Sequence, residues 1–385
     1  MIPRAIAAEL ERLKSKFPVL ALTGPRQAGK TTLLKHLFPD YHYLSLENPD
    51  VREHALKDPN GLLNTYPEKT IFDEAQRAPQ LFSYIQTLAD ESGLMGQFIL
   101  SGSQNFLLMQ NITQSLAGRV ALLRIFPFTF PEMHAGKLPL GNLENVIFTG
   151  FYPSIFDRQL EARDFYPNYV ETYLERDVQS VIMPGNMRQF QTFMRLCAGH
   201  VGQLVNYSSL ADGCGISVPT AKTWLSVLER SYILFLLQPY HRNFNKRLVK
   251  TPKIYFYDTG LACYLLNIND PAFVGTYYQK GSLLENLIIA ELVKQAYHLG
   301  MRPAYHFWRD NHQNEIDLIW EENLKMNLLE IKYSQTLSGH FFAPFHKFKS
   351  FSGIEPEKQI LVYGGTQHLK REGIDIRGWR ETGQW

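Results

Sequence analysis

The segment Gly24-Pro25-Arg26-Gln27-Ala28-Gly29-Lys30-Thr31-Thr32 contains G-x-x-x-x-G-K-[ST] in full. That spacing suits one chemistry. Two glycines let backbone N–H groups curl around a β-phosphate, and the helix that follows turns its positive end toward it. Lys30 reaches the β- and γ-phosphates, so it is expected to bind and to act on the transferred group, while the Thr31 hydroxyl ligates Mg2+. Gly24 to Thr32 together are expected to cradle the nucleotide. Downstream, Thr70-Ile71-Phe72-Asp73-Glu74 is an apolar run ending in two acids. Such a strand delivers Asp73 to the Mg2+ shell and Glu74 to the attacking water. No N-K-x-D guanine-reading motif follows, so ATP is expected rather than GTP.

A second constellation lies in the last third. Glu285 is embedded in an apolar helical stretch, Gly281 to Val293, and Ala304–Trp308, Asn314–Trp320 and Asn327–Tyr333 read as strands. Alternation places Glu315 and Asp317 on one face, with Ile316 and Leu318 on the other. It likewise sets Glu330 and Lys332 opposite Leu329 and Ile331. A hairpin between Asp317 and Glu330 would bring both carboxylates side by side. With Glu285 they could hold a second Mg2+ or Mn2+ through oxygen ligands, and Lys332 could orient a water for attack on phosphate. A buried charge network, or a remnant that grips DNA, is the alternative reading of the same residues.

The elements that must position these residues divide the chain. An amphipathic N-terminal helix precedes strands at Pro18–Thr23, Tyr41–Leu46, Thr70–Phe72 and Gln97–Ser101, with a helix around Ala78–Asp90. Strands separated by helix-length connections argue for an α/β fold with a parallel sheet. Gly141–Pro153 reads as a hinge, and Arg158–Val181 as a long charged helix interrupted at Pro167. Residues 207–230 have the form of a helix-turn-helix, with Leu225 and Leu228 facing a core and Thr220, Lys222 and Thr223 facing out. Two strand-like runs follow, joined by Arg242, Lys246, Arg247, Lys250 and Lys253 with no acid among them. A winged helix grips phosphate with such a run, so DNA is an expected partner through residues 207–253. Protein docking, or a solvated edge, is the plainer reading. The expected domains are 1–150, a helical linker 151–185, 186–258 and 259–385; a helix near His340–Phe351 and a strand at Gln359–Tyr363 close the last.

GPRQAGKTT, IFDEAQ, ILSGSQN and SLAGRV, in this order, resemble the prokaryotic AAA+-type ATPases whose P-loop reads GPRQ-x-GKTT, over about residues 1–150. The resemblance implies a γ-phosphate sensor at Ser103 or Gln104. It also implies that Arg119 touches a nucleotide, in its own subunit or a neighbour's, a surface ion pair being the alternative. Assembly into homo-oligomeric rings is implied too. Glu285, Asp317 and Glu330-x-Lys332, in helix–strand–strand order, resemble the PD-(D/E)XK nuclease superfamily. They resemble in particular the C-terminal domain, of largely unknown role, that accompanies these ATPases.

Composition sets outer bounds. The 385 residues are 45% hydrophobic and 20% charged, which excludes a disordered chain, and 39 basic against 37 acidic residues exclude a polycation. Cys197, Cys214 and Cys263 form no disulfide framework. The charged N-terminus is no secretory signal, and the longest apolar runs, Ile233–Leu237 and Leu287–Ala290, are too short for a bilayer. The cytoplasm is expected, and no membrane contact. The twelve histidines make no close metal pair, His312 included, and Trp224, Trp308 and Trp320 are expected in cores. Three accounts follow: an ATPase coupling turnover to DNA; an ATP-regulated nuclease using Asp317, Glu330 and Lys332; and a non-enzymatic, ATP-gated switch that recruits a protein.

Overall fold

The computed structural model describes residues 2–103, 112, 115–173, 178, 182, 184–240 and 250–385. Gln104, Arg242, Lys246 and Arg247 lie outside these residues. The first part runs α1 (Ile6–Lys14), β1 (Val19–Thr23), α2 (Lys30–Leu37), β2 (His42–Ser45), α3 (Pro49–Lys57), α4 (Pro59–Thr65), β3 (Thr70–Asp73), α5 (Leu81–Ser92), β4 (Phe98–Gly102) and β5 (Val120–Arg124). The strands pair in the order β2-β3-β4-β1-β5, all parallel. All five residues of β1 are buried, as a strand with helices on both faces requires. Ile6 and Leu10 of α1 with Leu33 and Leu34 of α2 fill one face; Ala55, Leu62, Leu81 and Phe82 fill the other. Because β4 lies between β1 and β3, the ends that carry Thr23, Gly102 and Asp73 emerge side by side.

After β5 the chain enters a second core. It continues through α6 (Phe130–Ala135), α7 (Leu143–Thr149), α8 (Pro153–Asp157), α9 (Ala162–Tyr173), α10 (Met187–Gly199), α11 (Tyr207–Cys214) and α12 (Val218–Arg230). Then come β6 (Leu234–Pro239), β7 (Lys253–Phe256), α13 (Thr259–Leu265), α14 (Pro271–Thr276) and α15 (Lys280–His298). The last elements are β8 (His306–Arg309), β9 (Glu315–Glu322), β10 (Lys325–Lys332), α16 (Ala343–Ser352), β11 (Lys358–Tyr363), β12 (Leu369–Arg371) and β13 (Ile374–Gly378). One continuous apolar cluster reaches from Phe126 to Trp379. The Gly141–Pro153 stretch is therefore no open hinge. Its glycines and Pro153 flank two short helices, and Ile147, Phe151 and Tyr152 are buried. Nor is α9 a solvated helix: Phe165, Tyr166, Tyr169 and Tyr173 are buried despite the charges between them.

The helix-turn-helix segment is helical where the sequence places it. Ser217 caps α12 by accepting a hydrogen bond from Thr220 N at 3.2 Å, and Leu225 and Leu228 are buried. The strands that follow are not a separate hairpin. β6 pairs with β7 on one side and, at Gln238 and Pro239, with β8 on the other, inside a sheet of order β12-β13-β11-β10-β9-β8-β6-β7. Simple alternation fails in β9. A register shift against β8 sends Ile316 into the core under α16 and Leu318 into the core under α15, so they do not share a face.

Asp258 ties the middle helices together. Its carboxylate accepts hydrogen bonds from Phe151 N (2.7 Å), Tyr166 Oη (2.6 Å) and Leu261 N (3.1 Å), the last capping α13. Gly150, at φ +65°, and Gly260 close over it; a Cβ at Gly260 would lie 2.2 Å from Tyr166 Oη. Asp258→Ala orphans the Phe151 and Leu261 amides, while Tyr166 Oη keeps Thr149 O at 2.9 Å; it should cost about 3 kcal/mol, and Tyr166→Phe about 1 kcal/mol. Urea unfolding midpoints of the two variants check the ratio.

Candidate active site

The loop between β1 and α2 is shaped for an anion. A Cβ at Gly24 would lie 2.0 Å from the carbonyl oxygen of Ile125, and Gly29 holds φ +90°, so only glycine fits at either point. Lys30 Nζ donates to the carbonyls of Gly24 (2.9 Å) and Pro25 (2.8 Å), which holds the ammonium at the loop's mouth. Arg26, Gln27, Gly29, Lys30, Thr31 and Thr32 line a cleft of about 1120 Å3, whereas Ala28 is buried beneath it.

Two acids complete the floor. Asp73 Oδ2 accepts hydrogen bonds from Thr31 Oγ1 at 2.8 Å and Tyr43 Oη at 2.5 Å, and Oδ1 accepts from Ser101 Oγ. Burial alone would raise the Asp73 pKa, but these donors and the Lys30 charge outweigh it and keep the carboxyl below its usual range. A carboxylate that stays ionised beside a threonine hydroxyl fits the oxygen set that Mg2+ takes. Glu74 sits at φ +55°, which turns its side chain into the cleft, where Oε2 accepts from Ser103 Oγ at 3.3 Å. Of the two expected sensors, Ser103 is therefore beside Glu74.

Three contributions were not legible in the motifs. Ser101, rather than its neighbours alone, touches the acid pair. Pro153, Ser154 and Arg158 of the second core form the cleft's far wall. Arg4, from the turn before α1, lies under the loop: Nη1 donates to Ala28 O at 2.8 Å, Nη2 to Phe126 O at 2.5 Å, and Nε pairs with Glu132 at 3.1 Å. Glu132 in turn faces His298 Nδ1 at 3.2 Å, and His298 Nε2 accepts from Phe126 N at 2.9 Å. Arg119 does not line the cleft; its Nε and Nη2 hold Asp90, at 2.9 Å through Nη2, as a surface ion pair, and Nη1 donates to Ala117 O at 3.1 Å.

The carboxylates of the last third do converge. Glu285 on α15 and Glu315 and Asp317 on β9 bring ligand oxygens within 4.8 Å of one another. Asp317 Oδ2 accepts from Ile331 N at 2.8 Å, and Lys332 Nζ pairs with Glu330. Glu315 and Lys253 join a group the sequence assigned to Glu285, Asp317, Glu330 and Lys332. Lys253 Nζ lies 2.9 Å from Glu285 and also bonds Glu315, so it is not part of an exposed basic run.

Comparison with known proteins matches three successive segments of the chain. Residues 16–134 match the AAA domain, 140–272 a domain of unknown function (DUF8612) and 280–379 another (DUF4143). An uncharacterized protein of Mycobacterium tuberculosis is 32% identical over 342 residues, spanning 87% of this chain and 75% of that one. The two belong to one family. An uncharacterized protein of Methanocaldococcus jannaschii is 23% identical over 352 residues, spanning 83% and 75%. A Walker-type ATPase of Pyrococcus abyssi superposes with a TM-score of 0.47 at 14% identity, over 69% of this chain and 96% of that one. The chain is thus an α/β protein in which a P-loop ATPase domain of the AAA type precedes a mixed-sheet region. No helix among the described residues is long and apolar enough to cross a membrane.

Beneath the AAA domain's loop, burial alone would raise the Glu132 pKa. The His298 ring, the Arg4 guanidinium and Ala5 N outweigh it and hold the carboxyl far below its usual 4.5. Glu132→Gln keeps the shape and removes the charge facing Arg4, so it should cost about 3 kcal/mol at neutral pH. A depressed carboxyl stabilises fully above its unfolded pKa and loses that contribution as pH falls through the folded value. Denaturant midpoints should therefore differ widely at pH 7, and the gap should begin to narrow only as pH falls below about 4.5.

Proposed function

We propose that this chain is a Mg2+-dependent ATPase whose turnover is coupled to DNA engaged by its C-terminal half. The observation that carries the ATPase reading is the convergence of Lys30, Thr31, Glu74 and Ser103 on one cleft, with Asp73 held to Thr31 behind it. Lys30 holds the β- and γ-phosphates of ATP. Glu74 orients the attacking water and takes its proton, with Ser103 fixing the carboxylate. Thr31 and Asp73 would hold Mg2+, which when bound would supply positive charge to the phosphates.

Coupling is supported by a direct contact. Thr23, the last residue before the loop, shares a 2.7 Å hydrogen bond with Tyr232, two residues beyond α12. A shift of α12 on DNA therefore bears on the strand that carries the loop. Helices α10 to α12 with the β6–β7 pair have the layout of a winged helix. Lys222, Thr223 and Lys250 are exposed, while Lys253 is withdrawn from any such surface. A neighbour's nucleotide in a homo-oligomer would have to win Arg119 from Asp90. Three buried free cysteines suit the reducing cytoplasm.

The acidic cluster supports a second reading, metal-dependent phosphodiester cleavage. Glu285, Glu315 and Asp317 are close enough to share one ion, with Glu330 and Lys332 adjacent.

Steady-state ATP hydrolysis with Mg2+ tests the first reading. Lys30→Ala should abolish turnover, and Glu74→Gln should bind ATP while turning over roughly 10²- to 10⁴-fold more slowly. Duplex or single-stranded DNA should raise the wild-type rate. Turnover indifferent to DNA would overturn the coupling and point to a protein partner; negligible turnover would leave a nucleotide-gated switch.

A further inference from the structure

The acidic cluster already holds a cation, and that cation comes from outside the helix and strands that supply the acids. Lys253 opens β7, where it pairs with Leu237 of β6 and bridges to Leu204. Its side chain is 2% exposed, with Nζ 2.9 Å from Glu285 Oε1 and hydrogen-bonded to Glu315 Oε1. Tyr255, two residues on along the same strand face, donates to the same Glu285 oxygen at 2.5 Å. The strand thus presents an ammonium and a phenol to one carboxylate.

Counting charge shows what the ammonium does. Glu285, Glu315, Asp317 and Glu330 are four carboxylates. Lys253, Lys332 and Arg309, whose Nη1 lies 3.1 Å from Glu315 Oε2, are three cations. One negative charge is left over. Glu330 is buried, and its Oε2 has no hydrogen-bond partner among the described residues. Withdrawing Lys253 would leave two negative charges, which is the charge of one divalent cation, around oxygens already within 4.8 Å. Hard divalent ions take such all-oxygen sets.

We propose that Lys253 is a tethered occupant of a divalent-cation site: its ammonium and a Mg2+ or Mn2+ ion compete for Glu285 and Glu315. The cluster takes the metal only when Lys253 leaves its buried seat. This rests on the metal-dependent reading of the cluster given above and adds what regulates it. Metal binding and Lys253 exposure are then two readouts of a single exchange.

Mn2+ binding to the nucleotide-free full-length chain, followed by the loss of the free-ion EPR signal, tests this. Lys253→Met keeps the aliphatic stem and removes the charge. It should bind Mn2+ at least roughly tenfold more tightly than wild type, and adding Asp317→Asn should abolish the gain. Equal affinity in wild type and Lys253→Met overturns the competition while leaving the metal site standing. No binding in either overturns both. A measurement on the wild type does not depend on the variant folding: acetylation of Lys253 by an amine-reactive ester, read by mass spectrometry. Labelling should rise several-fold in millimolar Mn2+, and should not rise in Asp317→Asn. Labelling of wild type indifferent to Mn2+ overturns the proposal.

Discussion

The extended backbone from Phe126 to Phe130, which leads out of the parallel sheet, finds polar partners in the side chains of α15. His298 accepts from Phe126 N, Lys294 donates to Phe128 O at 2.8 Å, and Glu291 accepts from Phe130 N at 2.6 Å. Alternate residues of the segment thus meet successive turns of one helix, which replaces a neighbouring strand. Buried backbone groups must be paired, so this segment and α15 specify each other's position. Farther along, Asn286 repeats the device on β7, accepting from Phe256 N at 2.6 Å and donating to Phe256 O at 2.9 Å. Within this helix of 19 residues, Glu285 at the acidic cluster and His298 beside Glu132 stand about 20 Å apart.

That span explains why Arg4 and Glu132 are buried where they are. Arg4 clasps the carbonyl of Ala28 within the phosphate loop, Glu132 neutralises Arg4, and His298 meets Glu132 from the far end of α15. The loop therefore rests on ionised groups that are themselves anchored in the second core. Glu132 is the shared partner, so removing it leaves the buried Arg4 charge without its carboxylate and His298 Nδ1 without its neighbour.

Much of the first sheet was readable because its signals are local. The loop's glycines, its Lys-Thr pair and the strand ending in Asp73-Glu74 each carry their meaning within a few residues. The helix-turn-helix was readable for the same reason, through Ser217 at a cap and Pro219 in a first turn. What escaped depends on distant partners. Lys253 looks like one member of a basic run until Glu285 and Glu315, thirty-two and sixty-two residues away, claim it. Arg4 belongs to no motif, and Arg119 sat in one yet found Asp90. The β9 bulge was missed because Glu315 to Leu318 alternate in type, and the break in alternation comes only at Leu318-Ile319, where the register has shifted against β8.

The sheet shared by β6 and β8 has a consequence for how this family's parts can be separated. The matched segment 280–379 begins after β7, so it contains β8 without β6. A chain cut there would present β8 as a naked edge, with backbone donors and acceptors free to recruit a strand from another copy. The recurring unit in sequence is thus smaller than the unit that closes its own hydrogen bonds. Excision at that boundary would trade a paired strand for a surface prone to self-association.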